Sequence, residues 1–412
     1  MSSPHSIARV AVVGGGISGL AAALEIESRA SNLEVTLFEG SARLGGVIQT
    51  VSQDGYLIER AADNFINSPE NPWALQLAER TGYADQLIET NTEHRRAEVL
   101  WDDRLHRVPE GFQLMATVRM KEVLDSSLLT WRGKARLGWE RYVPPRRDGV
   151  DESLAEFATR RVGQEAYERL VQPLVAGIYT ADPEKLSVAA ALPQYVEMER
   201  QWGSLTKGLQ QRGRQETAVG TSGARYGMFL TPRQGMSHFI EHLRQQLRRT
   251  TIQFETRVDS VAQTANGPWE LRLTNSSGTS TQAFDAVILA LPLHQAAHVV
   301  KQLDADLSEA LGKVRYSSAA VICMGVRREQ IEHPLDAFGI VIPVAQRKRL
   351  LALSFSSVKF PQRAPEGCVL VRAFVGGAGH EDRVEWNDDQ MRQVVLEETR
   401  SIIGMVGEPH LW

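Results

Sequence analysis

The opening of the chain combines short apolar runs with a glycine-rich turn. Residues 9–13 (RVAVV) form a β-branched apolar run, which is typical of a strand buried on both faces. Three glycines follow, and residues 20–26 then carry good helix formers with an apolar stripe. A second apolar run, residues 34–38, ends at Glu39. This order predicts a strand, a tight turn, a helix and a second strand at the start of a parallel sheet.

From about residue 71 to residue 161 the apolar spacing is mostly helical. An extended segment near residues 98–101 and a loop at residues 144–149 (PPRRDG) interrupt it. The next stretch, residues 151–171, has helical spacing, and we interpret Asp151 as its helix cap. Residues 213–223 are rich in glycine and threonine with little periodicity, so we predict a loop there.

After Gly235 the pattern returns to short β-type runs. We predict a helix at residues 237–248 and strands at residues 252–256, 260–263, 271–274 and 286–289. Later apolar runs at residues 319–326, 350–354 and 368–375 predict a second, antiparallel sheet. A final helix is predicted at residues 388–403.

Composition narrows the class of protein. The 412 residues contain 46 Lys plus Arg and 50 Asp plus Glu, so the net charge of −4 argues against nucleic acid as a partner. The longest nearly unbroken apolar run, residues 286–293, is too short to cross a bilayer, which leaves peripheral contact open. Residues 1–8 lack the apolar core of a signal peptide. Two cysteines, Cys323 and Cys368, form no C-x-x-C pair and favour a reducing, cytoplasmic location.

A glycine motif, Gly14-x-Gly16-x-x-Gly19, lies between the first predicted strand and helix. We expect Gly14 to permit the tight turn, Gly16 to let a pyrophosphate approach the backbone, and Gly19 to allow close packing. The free N–H groups of the helix would face the anion. Glu39 lies 20 residues after Gly19 and can accept hydrogen bonds from a ribose diol, which disfavours NADP. The motif in this context predicts a dinucleotide-binding domain.

Several further segments carry a family resemblance. Residues 40–48 (GSARLGGVI) resemble the R-x-G-G segment of flavin amine oxidases, phytoene desaturases and protoporphyrinogen oxidases. Residues 174–187 (LVAGIYTADPEKLS) and 203–205 (GSL) resemble the signature of oxygen-dependent protoporphyrinogen oxidases of the HemY type. Similar segments of that family's FAD domain are residues 231–236, 256–258 and 290–292, and segments of its substrate domain are residues 338–343 and 374–377. The resemblance runs from about Arg9 to the end of the chain.

The resemblance implies FAD as the cofactor and an α/β fold. The implied fold consists of a Rossmann-type FAD/NAD(P)-binding domain, a substrate domain containing an antiparallel sheet, and an inserted helical domain. We expect the first part of the FAD domain at residues 1–70, a helical insertion with one strand segment and an edge open to a membrane at 71–170, a substrate-domain part at 171–230, the returning FAD-domain part at 231–300, and the substrate domain with the final helix at 301–412.

The same resemblance implies which residues bind FAD. Arg43, Gly46 and Val47 are expected along the diphosphate and ribityl chain, and the backbone of Val258 at the adenine. The full set of expected cofactor-binding residues is Gly14, Gly15, Gly16, Ile17, Ser18, Gly19, Glu39, Gly40, Arg43, Gly46, Val47, Ala61, Ala62, Asp63, Asn64 and Val258.

Two departures from the family pattern affect these expectations. The E-x-G-P segment of the family appears at residues 59–62 as ERAA, so the local turn must accommodate a Cβ. Family members also continue into a glycine-rich segment that closes over the isoalloxazine ring. We expect that segment to lie outside the 412 residues ending at Trp412, with weaker retention of FAD as the consequence.

A porphyrinogen substrate is also implied by the resemblance. Such a macrocycle needs a wide apolar cavity with one or two cations at its rim. The expected walls are Gly177, Phe338, Gly339, Val341 and Phe374. The propionate-binding arginine of the family falls on Ala97, so we take the neighbouring Arg96 as the cation. A solvated face formed by Arg95 and Arg96 is the alternative.

The function implied is the FAD-dependent oxidation of protoporphyrinogen IX to protoporphyrin IX in haem biosynthesis. The flavin would accept hydride and O₂ would reoxidise it to give H₂O₂, so no catalytic acid or base is expected among the residues. Three alternatives remain open: oxidation of coproporphyrinogen III, a related flavin oxidase acting on an amine or a carotenoid, and a flavin-deficient tetrapyrrole-binding protein. Ferrochelatase and a membrane surface stay open as partners, as does the oligomeric state.

Two other patterns suggest chemistry of a different kind. His294 and His298 are spaced to share one helix face, but no carboxylate completes a zinc motif, so we predict a surface pair and no metal site. Residues 131–147 mix aromatic residues with arginine. We interpret this stretch as the edge of a helical domain, with docking to an anionic lipid surface as the alternative.

Overall fold

The computed structural model describes residues 8–68, 71–218, 229–263 and 267–412. The strands within them are β1 (Ala8–Val13), β2 (Leu33–Phe38), β3 (Thr50–Gln53), β4 (Tyr56–Glu59), β5 (Phe65–Ile66), β6 (Leu87–Glu89), β7 (Ala97–Trp101), β8 (Arg104–Arg107), β9 (Phe112–Gln113), β10 (Ala116–Thr117), β11 (Phe229–Pro232), β12 (Thr251–Gln253), β13 (Arg257–Gln263), β14 (Trp269–Asn275), β15 (Gly278–Phe284), β16 (Ala286–Leu289), β17 (Ala319–Arg327), β18 (Gly339–Val341), β19 (Leu350–Phe355) and β20 (Cys368–Gly376).

The helices of the same residues include one π-helical turn, Tyr167–Val171, and several short 3₁₀ turns. The α-helices are α1 (Ile17–Arg29), α2 (Trp73–Arg80), α3 (Met120–Asp125), α4 (Trp131–Gly138), α5 (Leu154–Val162), α6 (Gln164–Ala166), α7 (Gln172–Tyr179), α8 (Val188–Ala191), α9 (Pro193–Trp202), α10 (Leu205–Ala218), α11 (Met236–Gln246), α12 (Leu293–Val300), α13 (Ala305–Gly312), α14 (Ser356–Lys359) and α15 (Asp388–Ile403).

The chain divides into two compact units. Unit 1 comprises Met1–Ser52, Leu57–Ile88 and Leu230–Tyr316, and unit 2 comprises Gln53–Tyr56, Glu89–Phe229 and Ser317–Trp412. These boundaries differ from the expected ends of the FAD domain at residues 70 and 300. Unit 1 continues past residue 70 to Ile88 because β6 joins a three-stranded sheet with β11 and β5. It continues past residue 300 to Tyr316 because α13 packs on α12.

Unit 1 contains a parallel sheet in the order β12, β2, β1, β16. The last four residues of β1 and of β2 are buried, and α1 connects the two strands. The predicted opening of strand, turn, helix and strand is therefore confirmed. Because parallel strands end at the same sheet edge, Gly14 and Glu39 are neighbours, and the Gly14 N–H donates to the Phe38 carbonyl at 2.9 Å. The unit also contains the antiparallel sheet β13, β14, β15.

Unit 2 contains a six-stranded sheet in the order β17, β20, β19, β18, β7, β8. Every pair is antiparallel except β18 with β7, so the predicted antiparallel sheet is confirmed, with one parallel pair. The predicted helical insertion is not a separate unit, because β7 and β8 carry part of it into this sheet. Alternate residues of the central strands pack with α15 in one hydrophobic core, including Ile340, Leu353 and Ala373.

A helical layer forms the second core of unit 2. Two predictions for this layer were wrong: Asp151 as a helix cap, and a loop over residues 213–218. The helix cap is Ser153, whose hydroxyl accepts the Glu156 N–H in a capping box, and Gly163 at φ +90° ends α5 before the chain resumes as α6. Residues 213–218, predicted as loop, continue α10, while 219–223 fall outside the described residues.

Tertiary contacts explain why α10 forms despite its glycines. A Cβ at Gly208 would lie 2.7 Å from the Met198 Cγ, so glycine allows α9 and α10 to pack closely. The buried Glu140 carboxylate accepts the backbone N–H groups of Leu205 and Thr206, at 2.8 and 3.2 Å. The distant Glu140 thus adds to the local cap of this helix, in which the Ser204 hydroxyl accepts the Lys207 N–H at 3.2 Å.

Candidate active site

The glycine turn after β1 has the backbone geometry that a dinucleotide requires. Gly14 adopts φ +106°, where a side chain would be strained. A Cβ at Gly19 would lie 1.8 Å from the Gly14 carbonyl oxygen, so only glycine lets α1 approach the turn. A Cβ at Gly16, in contrast, would meet no protein atom within 4 Å. The turn therefore leaves open space at Gly16 of the kind that a pyrophosphate would occupy.

The N-terminus of α1 is prepared for an anion. Its N-cap is Gly16, which has no side chain to accept the first N–H groups of the helix. The first turn, beginning at Ile17 and Ser18, contains no acidic residue. The free N–H groups and the helix dipole both favour a bound phosphate at this end.

Glu39 is held against the same turn. Its carboxylate accepts the Gly15 N–H at 2.8 Å, and on its other oxygen the Ser41 N–H at 2.8 Å and hydroxyl at 2.7 Å. A Cβ at Gly15 would come within 2.7 Å of this carboxylate and 2.5 Å of Leu44, which explains why the position is glycine. Three of its roughly four acceptor sites are taken, so the carboxylate retains capacity for one hydroxyl of a ribose.

The second glycine segment packs on the first. The Gly45 N–H donates to the Gly15 carbonyl at 2.8 Å, and a Cβ at Gly46 would lie 3.5 Å from the Gly16 Cα. The Arg43 guanidinium donates to the carbonyls of Gly46 at 2.7 Å and of Ile48 at 2.9 Å. Arg43 therefore shapes this loop, and its expected position along the diphosphate stays a prediction.

Val47 and Gly40 complete the open side of the loops. The Val47 side chain is 81% exposed. A Cβ at Gly40 would meet nothing within 4 Å. A ligand lying on these loops would cover Val47 and use the free space at Gly16 and Gly40.

Val258 lies at the start of β13, close to Glu39. The Thr256 N–H donates to the Glu39 carbonyl at 2.9 Å, and the Val258 side chain is buried in the core that also contains Val13 and Phe38. The expected adenine contact at Val258 is thus placed beside the expected ribose contact at Glu39.

The predicted cofactor residues after β4 are Ala61, Ala62, Asp63 and Asn64. They form the connection to β5, where the Asn64 amide donates to the Asp63 carboxylate. Ala61 has no positive φ, so the Cβ that replaces the usual glycine is accommodated without strain.

Glu59 has a structural role that the sequence patterns did not indicate. Its buried carboxylate accepts the Met236 N–H at 2.8 Å and the Thr50 hydroxyl at 2.8 Å. The bond from the Met236 N–H caps α11, whose N-cap residue, Gly235, has no side chain of its own. The Thr50 hydroxyl oxygen accepts the next N–H of the helix, that of Ser237, at 2.9 Å. Glu59 therefore connects the N-terminal segments of unit 1 with its returning segment, Leu230–Tyr316.

The sheet of unit 2 brings most of the predicted substrate residues to one face. One row across the strands is Ala97, Gly339, Ser354, Arg372 and Cys323, and the next is Val99, Val341, Ala352, Phe374 and Val321. A Cβ at Gly177 of α7 would lie 3.4 Å from a Val341 methyl. Gly177, Gly339, Val341 and Phe374 thus share this face, which we call the chamber face.

Arg96 and Phe338 do not join them, which corrects the expected cluster. Glu98 pairs with Ile340, whose side chain lies in the core on the opposite face. Arg96 and Phe338 precede these residues by two positions, so strand alternation directs their side chains to that opposite face. The register thus separates Arg96 from the residues on the chamber face.

Arg96 is already occupied by a carboxylate on its own face. Its guanidinium donates to the Asp336 Oδ2 at 2.7 Å, and Arg107 donates to the same oxygen at 2.6 Å. The Arg96 side chain is 35% exposed and also donates to the Asp336 backbone carbonyl. Arg95 is 19% exposed and donates to the carbonyls of Asn91 and Thr90, so the two arginines do not form a simply solvated face.

The same cluster contains a geometric candidate for a metal site. Ligand atoms of Glu98, His333 and Asp336 all lie within 4.8 Å of one another. His333 Nδ1 accepts the Leu335 N–H at 2.9 Å, so its Nε2–H donates to the Glu98 carboxylate at 2.7 Å. Both imidazole nitrogens are therefore used, and two arginines neutralise Asp336, so the group is better explained as an ion-pair cluster.

The fold and the glycine loops together define a flavoprotein of one family. Residues 17–411 match the family described as flavin containing amine oxidoreductase, and the chain belongs to it. FAD is accordingly its cofactor, as predicted, and the loops of unit 1 fit this group because Gly16, Gly40 and Val47 leave space beside Glu39 and the α1 N-terminus.

Individual relatives have names that specify an enzyme activity. The chain is 32% identical to the coproporphyrinogen III oxidase of Bacillus subtilis (strain 168), over 98% of this chain and 84% of that protein. It is 27% identical to protoporphyrinogen oxidase 2, chloroplastic/mitochondrial, of Arabidopsis thaliana, over 97% of this chain and 81% of that protein. A crystal structure of a candidate protoporphyrinogen oxidase from Exiguobacterium sp. 255-15 has a TM-score of 0.82 at 28% identity, covering 100% of this chain and 85% of that chain. The predicted resemblance is confirmed.

Two remaining sequence features can now be placed. His294 and His298 are both exposed on α12, and the His294 ring lies 5.4 Å from the Tyr316 ring. Among the described residues, no helix has the length and apolar character needed to cross a membrane.

Proposed function

We propose that the protein is an FAD-dependent porphyrinogen oxidase that converts protoporphyrinogen IX to protoporphyrin IX with O₂ in haem biosynthesis. The observation that carries this proposal is the chamber face, where Gly339, Val341 and Phe374 are partly exposed beside the buried Arg372 and Val99. Gly177 of the signature segment lies against Val341 on this face. Coproporphyrinogen III is the second candidate substrate, because a relative with 32% identity bears that activity in its name.

The roles of the residues follow from chemistry that needs positioning more than proton transfer. FAD, when bound, supplies a two-electron acceptor that O₂ can reoxidise. The glycine loops and Glu39 bind the ADP part, while Gly339 and Val341 provide a flat wall for the macrocycle. Phe374 contributes an aromatic ring to the same wall, suited to contact with a pyrrole. We assign no catalytic acid or base.

The test supplies each reduced porphyrinogen to the purified protein, with an enzyme-free sample to subtract autoxidation. Enzyme-dependent porphyrin fluorescence, with O₂ consumed and H₂O₂ released, is the expected result. The ratio of kcat/KM for the two substrates decides between protoporphyrinogen and coproporphyrinogen. Flavin-containing protein that oxidises neither substrate would reject the proposal, and peroxide release with polyamines would replace it with an amine oxidase.

A further inference from the structure

The row of the chamber face that begins at Ala97 contains one hydroxyl group. The strand register places Ser354 of β19 opposite Gly339 of β18 on one side and opposite Arg372 of β20 on the other. Residues directly opposite each other on one sheet face have Cβ atoms about 5 Å apart. Ser354 therefore lies between a residue without a side chain and a residue with a guanidinium group.

The burial of its neighbours shows that Ser354 points to the chamber face. Leu353 and Phe355, which flank it in β19, are buried in the core on the opposite face of the sheet. Side chains alternate along a strand, so the Ser354 side chain takes the other direction. Val341 in the next row packs against the core of the helical layer, whereas Ser354 and Gly339 are partly exposed. A ligand on the chamber face can therefore reach the Ser354 hydroxyl.

The Ser354 hydroxyl has its hydrogen-bonding capacity free for a ligand. Within residues 8–68, 71–218, 229–263 and 267–412 it has no hydrogen-bond partner. A serine hydroxyl can donate one hydrogen bond and accept two. The Ser357 hydroxyl, three residues further along the chain, in contrast accepts the Leu370 N–H at 3.1 Å. Ser354 thus offers its O–H donor to the chamber face.

The charge around Ser354 favours an anion. Arg372 is 3% exposed, and its guanidinium lies 5.3 Å from the Phe374 ring centroid. None of the five residues in this row is acidic, and Ala97 stands where the family resemblance places a propionate-binding arginine. Because Arg372 is buried, a ligand on this face would feel its positive charge and take its direct contact from the Ser354 hydroxyl.

We propose that Ser354 donates a hydrogen bond to a carboxylate of the porphyrinogen, and that Arg372 supplies positive charge behind this contact. The inference rests on the proposed function, because it names a contact made by that class of substrate. A hydrogen bond to an ionised acceptor is about twice as strong as one between neutral groups. Ser354 is therefore a specificity-determining residue that favours tetrapyrroles with free carboxylates over their esters.

The experiment compares Ser354→Thr with Ser354→Val in the flavin-loaded protein. Threonine and valine have similar shapes and both suit a strand, but only threonine keeps the hydroxyl. Binding of coproporphyrin III, protoporphyrin IX and the methyl esters of both is measured by quenching of protein fluorescence in one detergent buffer. We expect Ser354→Thr to bind the free acids within about twofold of wild type, and Ser354→Val to bind them about tenfold more weakly. The methyl esters should bind to both variants equally.

Steady-state kinetics and a control variant separate this contact from a structural effect. Ser354→Val should raise KM for the porphyrinogen by about tenfold and leave kcat within about twofold, because the contact is the same in the ground state and the transition state. Ser280→Ala, at an exposed serine of β15 in unit 1, is the control and should match wild type in every assay. All three variants should keep the flavin content and thermal stability of wild type.

Equal binding of the free acids by Ser354→Thr and Ser354→Val would overturn the inference, as would a wild type that binds neither porphyrin. A loss of affinity that is as large for the esters as for the acids, or one that follows a loss of thermal stability, would also overturn it. Protein that binds the free acids with the expected dependence on Ser354 but oxidises neither porphyrinogen would instead retain this contact and reject the proposed oxidase.

Discussion

The glycine loops of unit 1 and the chamber face of unit 2 are built on different principles. In the loops, the groups that meet are close in sequence: Gly14, Gly16 and Glu39 come from one βαβ segment, and backbone geometry decides the shape. On the chamber face, neighbours such as Val341 and Phe374 come from strands far apart in the chain. A motif describes the first arrangement fully, whereas the second depends on strand register.

The register of strand pairing decides which of the two sheet faces a side chain occupies, and spacing along the chain alone does not. A shift of one residue moves a side chain from one sheet face to the other. Arg96 and Ala97 illustrate this, because Ala97 lies in a row of the chamber face while Arg96 pairs with Asp336 on the opposite face. Arg96 lies one residue before β7, so the step from Ala97 to its neighbour carries the side chain to the other face of the sheet.

The largest effect is expected at Gly16. Gly16→Val should remove FAD, lowering the flavin-to-protein ratio by about a hundredfold or more, because the side chain fills the space for the pyrophosphate. The protein itself should keep its thermal stability, measured on flavin-free samples, since the position is open to solvent. Gly312→Val, at another open glycine of unit 1, is the control and should retain flavin. Full flavin content in Gly16→Val would contradict the cofactor site.

A large stability effect is expected in unit 2 at Glu140. Burial alone would raise the pKa of Glu140, but Arg161, the Leu205 N–H and the Ser204 hydroxyl together lower it below its ordinary value of 4.5. Its contribution to stability is therefore present above about pH 4.5 and is lost as the pH falls through the lower folded pKa. Glu140→Gln should cost about 3 kcal/mol at neutral pH, because the buried Arg161 loses one of its two carboxylate partners and keeps only Glu199, at 3.1 Å.

The measurement for Glu140 is the free energy of unfolding against pH. The difference between wild type and Glu140→Gln should shrink in acid, since wild type also loses the charge there. Glu197→Gln, which removes an exposed carboxylate paired with Arg200, is the control and should unfold as wild type does. A constant difference at all pH values would show that the charge of Glu140 is not what stabilises unit 2.

An intermediate effect tests which residues belong to the chamber face. Phe374→Ala should raise KM for porphyrinogen by about tenfold with flavin content unchanged, because an aromatic contact is lost. Val375→Ala, one residue further on the same strand, should instead cost about 2 kcal/mol of stability with KM unchanged, because Val375 lies in the opposite core. If Val375→Ala raises KM as much as Phe374→Ala, the two faces are not functionally distinct.

The smallest effect is expected at Arg96. Arg96→Ala should leave KM within about twofold of wild type and cost about 1 kcal/mol or less, as for a half-exposed ion pair. Steady-state kinetics with both porphyrinogens checks this, with Asp336→Asn as the companion variant. A large rise in KM with unchanged thermal stability would restore Arg96 as the cation that binds a substrate carboxylate.

The sequence predicted the parts of the molecule whose geometry is local. The strand before Gly14, the helix after it and the last helix, Asp388–Ile403, follow from periodicity, and the need for glycine at Gly14 and Gly19 follows from one tight turn. The family and its cofactor were recognisable for the same reason, because each motif is a short continuous segment.

Long-range contacts decided the rest. The capping of α10 by Glu140 and of α11 by Glu59 joins residues far apart in the chain, and neither leaves a local pattern. The face on which Arg96 lies depends on how β7 aligns with β18, and the outward direction of Trp131 depends on which side of α4 packs on the core. Turn geometry is a property of a few consecutive residues. The side of a strand or helix to which a side chain points depends on strand pairing and helix packing, so only the folded chain determines that side.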